Sequence, residues 1–213
     1  MPTKTKLAAP ELAAVDVQGM TRHAFMARSA IAAGTVYGLA TVGPFVREAL
    51  AQEGGGDVDI LNFALTLEYL EAAFYDQALK QVKGLGGEAK DIATTLKDNE
   101  DQHVAALMST IKDLGGTPVK APGVDFGNSF ANEAAFLKTA QTFEDLGVSA
   151  YNGAGPEIKS KDVLAAAGSI VQVEARHAAA IRTLNGEPPA DKAFDEALTK
   201  DEVLMAAQPF IKS

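Results

Sequence analysis

Beyond residue 23 the chain holds two histidines, His103 and His177, and each stands three residues after a glutamate: Glu100-Asp-Gln-His103 and Glu174-Ala-Arg-His177. On a helix, side chains at i and i+3 lie one above the other on one face, so carboxylate and imidazole converge on a point fit for a metal ion. Taken alone, such a pair is equally what a solvated helix surface looks like. What separates the two readings is the set of elements that must carry the pairs.

Apolar positions Ile60, Leu61, Ala64, Leu67, Phe74, Ala78, Leu79 and Val82 recur at three and four residues, which predicts a first helix over 57–82 with Asp57 as its cap and Gly84 as its stop. Ile92, Leu96, Val104, Leu107, Met108 and Ile111 predict a second over 88–114, ended by Gly115-Gly116-Thr117-Pro118. Each is about 39 Å long at 1.5 Å per residue. The stretch from Gly115 to about Ser129 is too long for a tight hairpin and suits a crossover along the bundle. A third helix is expected over 131–151, interrupted by Gly153-Ala-Gly155-Pro156. A fourth is expected over 160–184, ended by Asn185-Gly186, and a short fifth over 200–207.

The halves of this pattern repeat. Ala64-Leu-Thr-Leu-Glu68-Tyr-Leu-Glu-Ala-Ala-Phe-Tyr75 aligns with Ala140-Gln-Thr-Phe-Glu144-Asp-Leu-Gly-Val-Ser-Ala-Tyr151, matching at Ala, Thr, Glu, Leu and Tyr. Glu68 precedes Glu100 by 32 residues and Glu144 precedes Glu174 by 30. Each half therefore carries one helix with a lone glutamate and one with Glu-x-x-His. Glu71 also lies near the apolar stripe, but its counterpart is Gly147, so Glu68 is the ligand candidate. Glu71, Asp76, Asp98 and Asp101 are read as surface groups or groups beyond the ligands. Tyr75 and Tyr151, seven residues past their glutamates, are expected either to donate to a ligand carboxylate of the opposite half or to be ordinary core tyrosines.

Composition narrows the chemistry. With 213 residues, 47% of them hydrophobic, the chain can bury a sizeable core, and alanine richness with no Trp favours close-packed helices. A net charge of -9 argues against nucleic acid as a partner. Without cysteine, a metal must be held by oxygen and imidazole. Four buried glutamates bring four negative charges, which two divalent cations would offset. Mixed carboxylate and imidazole donors suit iron or manganese over calcium, and zinc fits the same donors.

Residues 1–51 differ in character. Lys4, Lys6, Arg22 and Arg28 precede Ser29 to Val46, a run of 18 residues without charge, and Ala49-Leu50-Ala51 offers a small-x-small cleavage site before Gln52. Thr21-Arg22-His23-Ala24-Phe25-Met26 resembles a twin-arginine motif, with His23 in place of the second arginine. The expectation is an export signal and a periplasmic or envelope location. The alternative is a cytoplasmic protein whose amphipathic N-terminal helix packs on the bundle. Gly34, Gly38, Gly43 and Pro44 argue against a stable transmembrane span. Residues 52–213 would hold 14 basic against 25 acidic side chains, a net charge of -11.

Over about Asp57 to Gly186 the sequence resembles the ferritin-like superfamily, whose di-iron and di-manganese carboxylate bundles take one Glu from each of two helices and Glu-x-x-His from each of the other two. Residues 61–75 look like its bacterial and plant branch of desiccation-related or ferritin-like domain proteins, and Phe194-Asp-Glu-Ala-Leu-Thr-Lys-Asp-Glu-Val-Leu204 is similar to that branch's C-terminal extension. The resemblance implies an all-α ferritin-like four-helix bundle over 52–189, with a long crossover between helices two and three, and an extension over 190–213 with a short helix. It implies two iron ions, or alternatively manganese, with Glu100 and Glu174 bridging, Glu68 and Glu144 terminal, and His103 and His177 on one ion each. The implied activity is oxidation of Fe(II) with oxygen or peroxide, in iron handling or defence against oxidative stress. Manganese catalase-like peroxide disproportionation and a structural stress or envelope role with a metal-stapled bundle are the alternatives. A homo-oligomer is compatible with the chain, whereas a hollow storage shell does not follow.

Overall fold

The computed structural model describes residues 56–212, and the expected leader over 1–51 lies outside the described residues. Among the described residues five α-helices follow one another: α1 Asp57–Gln81, α2 Gly87–Asp113, α3 Glu133–Ala154, α4 Lys161–Leu184 and α5 Lys200–Ala207. Single 3₁₀ turns occupy Gly155–Glu157 and Gln208–Phe210. No strand occurs among the described residues, where extended pairing is limited to one bridge between Val124 and Ile211.

Local chemistry sets the helix ends. The Asn132 side chain accepts from Ala135 N at 2.9 Å and starts α3, and Ser160 does the same for Val163 N at 3.4 Å at the start of α4. Thr199 and Glu202 form a reciprocal capping box that fixes α5. The second helix of each half stops alike. Gly115 (φ 79°) and Gly186 (φ 75°) take the left-handed conformation, and Gly116 N→Ile111 O and Glu187 N→Arg182 O close the last turns. Two ends differ from expectation. Gly153 does not interrupt α3, which runs to Ala154 and tightens into the 3₁₀ turn around Pro156. Asp57 does not cap α1: Gly56 holds that position, and the Asp57 carboxylate accepts from Lys159 N and Ser160 N, both at 2.7 Å, at the entrance to α4.

α1 and α2 form one antiparallel hairpin, and α3 and α4 form the other. Tyr75 meets Glu144 while Tyr151 meets Glu68, so α1 and α3 also run antiparallel. The segment between α2 and α3 must then travel the length of the bundle. It is held near the start of α1, where Asn62 bonds Thr117 O and Val119 N. It arrives at the far end with Phe126 and Phe130 against Phe74.

Two apolar clusters fill the interior. One gathers Phe74, Phe126, Phe136 and Phe143 with Val203, Leu204 and Ala207 of α5, all within 4% of complete burial. The other holds Leu61, Leu65, Leu107, Ile111, Val163, Ala167 and Ile170. α5 is thus part of the core, and truncating a fully buried phenylalanine such as Phe74 to alanine would cost about 3–5 kcal/mol. No described helix is long and apolar enough to cross a membrane.

Candidate metal centre

The buried polar layer consists of the residues with the Glu-x-x-His spacing and their partners. Glu100, Glu144 and Glu174 are 0% exposed, Glu68 1%, His177 4% and His103 9%. They form two overlapping groups: Glu68, Glu100, His103 and Glu174, and Glu100, Glu144, Glu174 and His177. Within each group one donor atom per residue lies within 4.8 Å of all the others. Glu100 and Glu174 belong to both groups.

Each imidazole is surrounded through Nδ1. His103 Nδ1 lies 2.9 Å from Glu100 Oε2, 3.0 Å from Glu174 Oε1 and 3.2 Å from Glu68 Oε2. His177 Nδ1 lies 2.9 Å from Glu100 Oε1, 3.4 Å from Glu144 Oε2 and 3.9 Å from Glu174 Oε2. Donors at about 2.1 Å from an ion and at right angles to one another stand about 3.0 Å apart, so most of these separations match the edges of a first-row coordination polyhedron.

The hydrogen-bond census gives an independent test of fit. Glu100 Oε1, Glu144 Oε2, both oxygens of Glu174 and His177 Nδ1 are buried without a hydrogen-bond partner in the structure, although His177 Nδ1 and Glu100 Oε1 are close enough in distance. Buried polar atoms are otherwise almost always paired. These five orphans all point into the same layer, and all belong to the donor set, so the residues are fit to hold metal ions.

Protons hold the charges apart when cations do not. Burial lifts Glu68 to about 7, with Glu100 adding repulsion against the pull of His103. Burial and neighbouring carboxylates, Glu68 foremost, push Glu174 well above the usual carboxylate range, and burial raises Glu144. Burial opposes ionisation of Glu100 too, but its contacts with His103 and His177 win and bring it down to about 2. Burial would lower the histidines; contacts with Glu100, Glu174 and Glu68 instead raise His103 to about 12, and contacts with Glu100 and Glu144 raise His177 to about 10.

Two tyrosines brace this layer across the halves. Tyr151 Oη donates to Glu68 Oε1 at 2.5 Å, and Tyr75 Oη donates to Glu144 Oε1. Each bond leaves the other carboxylate oxygen facing inward. Burial and these carboxylates hold both phenols well above their ordinary value, so they remain protonated donors.

Of the acidic residues read as surface or outlying, Asp76 and Asp101 are exposed and paired with Lys80 and Lys97, and Asp98 is 68% exposed. Glu71 differs: it is 4% exposed, and burial plus repulsion from Glu174, Glu144, Glu100 and Glu68 raises its carboxyl well above the usual range. Asn99 had no motif to mark it, yet its amide nitrogen lies 3.0 Å from His177 Nε2.

Comparison with curated proteins finds no match. The family model described as a ferritin-like domain matches residues 56–187, the span that carries both hairpins and every residue of the buried polar layer. With this fold and that match over well more than half its length, the chain belongs to the ferritin-like domain family.

Proposed function

We propose that the protein is a di-metal carboxylate protein, with iron at both positions, that oxidises Fe(II) with oxygen or peroxide and so serves iron handling or defence against oxidative stress. One observation carries this reading: two four-residue donor groups, each of three carboxylates and one imidazole, share Glu100 and Glu174. Shared carboxylates keep two ions close enough to act on one small molecule. Bound iron would supply electrons by cycling between its divalent and trivalent states, with open positions for oxygen or peroxide.

The side chains define what the protein contributes. Glu68, Glu100, Glu144 and Glu174 offer negative charge that a pair of divalent ions offsets, and His103 and His177 offer Nδ1 once their protons leave. Tyr75 and Tyr151 fix the terminal carboxylates in orientation, which limits the rearrangement needed when the metal charge changes. The apolar clusters at either end of the layer restrict water, so charge at the centre is weakly screened.

The test is anaerobic addition of Fe(II) to metal-free protein, then exposure to oxygen or peroxide. The expected result is binding of two ions per chain followed by oxidant consumption and ferric absorbance. Protein that instead disproportionates peroxide only when loaded with manganese points to catalase-like chemistry. A fully metallated protein inert in both assays leaves the metals a structural role.

A further inference from the structure

The two halves place matching side chains around the buried layer, with two exceptions, and both fall on the same side. The first is Glu71. It lies one turn beyond Glu68 on α1, is 4% exposed, and makes no hydrogen bond or ion pair within the described residues. Its counterpart in the repeat is Gly147, and the missing side chain there makes room for Glu71. A Cβ on Gly147 would stand 3.2 Å from Glu71 Oε1 and 3.3 Å from Glu174 Oε2. Oε2 is the Glu174 oxygen toward His177, since Oε1 is the one that meets His103. The Glu71 carboxylate therefore stands outside the four donors but on the side of Glu174 that faces Glu144 and His177, and Gly147 sends nothing toward Glu68 and His103.

The second exception is Asn99, whose amide holds His177 Nε2. The residue in the same place of the second half is Val173, which has no polar atom to offer His103, and no hydrogen bond reaches His103 Nε2 among the described residues. An imidazole bound through Nδ1 carries its proton on Nε2, and the Asn99 carbonyl, after rotation of the amide, would accept it and fix the ring. The His103 side chain is 11% exposed and that of His177 4%, so the braced ring is also the more enclosed.

We propose that the two ion positions are inequivalent, with Glu71 and Asn99 making the Glu144/His177 position a resident site that fills first and the Glu68/His103 position an exchangeable site that fills second. Glu71 places a further buried carboxylate charge beside the resident position, and Asn99 is a positioning residue for its imidazole. This rests on the di-metal reading and would give the two ions different parts: one would stay, and the other would be substrate Fe(II), which would give an electron to oxygen or peroxide and leave as Fe(III).

Titration of the metal-free full chain with Co(II), followed by visible absorption and by competition with a chelator, separates the outcomes. The wild type should bind in two steps, and Glu71→Gln should weaken the first by about 10- to 100-fold while leaving the second in place. Gly147→Ala, which keeps every donor but crowds Glu71 and the Glu174 oxygen toward His177, should act in the same direction, and Asn99→Leu should weaken only the first step. In crystals grown at one equivalent of Co(II), anomalous scattering should lie beside His177. Far-ultraviolet circular dichroism of each variant identifies any that fail to fold, and Gly147→Ala and Glu71→Gln test the same contact from opposite sides. Two equal sites in the wild type, or folded variants that leave both constants unchanged, overturn the inequivalence and leave the di-metal centre standing. Absence of Co(II) binding in the wild type overturns both.

Discussion

The hairpin of α1 and α2 and the hairpin of α3 and α4 carry the same donors, yet neither forms a complete group. His103 belongs to the first half and meets Glu174 of the second at 3.0 Å; His177 belongs to the second and meets Glu100 of the first at 2.9 Å. Each Glu-x-x-His step thus lends its carboxylate to the other half's imidazole. An ion at either position would bind the two hairpins together, so metal affinity and the docking of the halves are a single equilibrium.

The largest effect that tests this exchange comes from the shared glutamates. Glu100→Ala or Glu174→Ala removes a donor from both groups, and metal content measured by plasma mass spectrometry should fall from two ions per chain to none. Glu68→Ala or Glu144→Ala touches one group, and one ion should remain. If all four variants retain the same metal content, the two positions do not share Glu100 and Glu174.

The repeat made most of this readable in advance, because the Glu-x-x-His period and the lone glutamates are properties of helix faces. α5 was equally legible, since the Thr199-x-x-Glu202 cap and the breaks around it are local. Glu71, read as a surface group or one beyond the ligands, is buried outside both donor groups, and no sign in the sequence showed that Gly147, its repeat partner, would lie against it. A glycine opposite an acid is a packing relation between two helices, and no period along one helix contains it. Asn99 was silent because an asparagine in mid-helix has no spacing to announce what it will touch. Asp57 kept its acceptor role, but its partners arrive from more than a hundred residues away.

A second test concerns protons. Glu100 and Glu174 are equivalent by the repeat, yet Glu100 is lowered to about 2 by its two histidine neighbours and Glu174 is raised well above the usual range. For the metal-free protein, raised groups stabilise the fold below their unfolded values and lose that contribution as pH climbs through the folded ones. Glu68, at about 7, should cost stability between pH 4.5 and 7, on the order of 3 kcal/mol by linkage, and His177, at about 10, above pH 6.5. Glu100 acts oppositely, and its contribution disappears as pH falls from 4.5 to 2. Metal-free Tm should therefore peak in the mildly acidic range and fall toward pH 9. Loaded protein should show the reverse trend in its margin over the metal-free form, because binding expels the same protons. A metal-free Tm that rises from pH 5 to 9 would falsify the charge assignment.

The tyrosines test symmetry at a smaller scale. Tyr75→Phe and Tyr151→Phe each remove one donor to a carboxylate of the opposite half, at about 1–3 kcal/mol apiece in chemical denaturation of the loaded protein. Tyr75 is surrounded by Phe74 and Phe136, where a phenyl ring is well accommodated, so its variant should pack without rearrangement. Slower iron oxidation in both variants would show that orientation of Glu68 and Glu144 matters to the reaction. Unchanged metal affinity and unchanged oxidation kinetics would make them core tyrosines with satisfied hydroxyls.

The smallest effect lies farthest from the donor layer and extends the repeat to the helix starts. Asp57, first residue of α1, accepts from Lys159 N and Ser160 N beside the start of α4; Glu133, first residue of α3, accepts from Gly86 N at the start of α2, at 2.5 Å. Each half thus reaches with its first acidic side chain to the opening of the other half's second helix, and the orphan amides there gain an acceptor of favourable charge. Asp57→Ala and Glu133→Ala should each cost about 0.5–2 kcal/mol, as for loss of a helix cap, with Asp57 the larger because it serves two amides. The two contacts lie at opposite ends of the bundle, so the double variant should lose the sum to within about 0.5 kcal/mol. Metal content should not change in either. A double variant that loses much more than the sum would mean that the hairpins separate when both contacts go, and that the ends, as well as the metal layer, hold the halves in register.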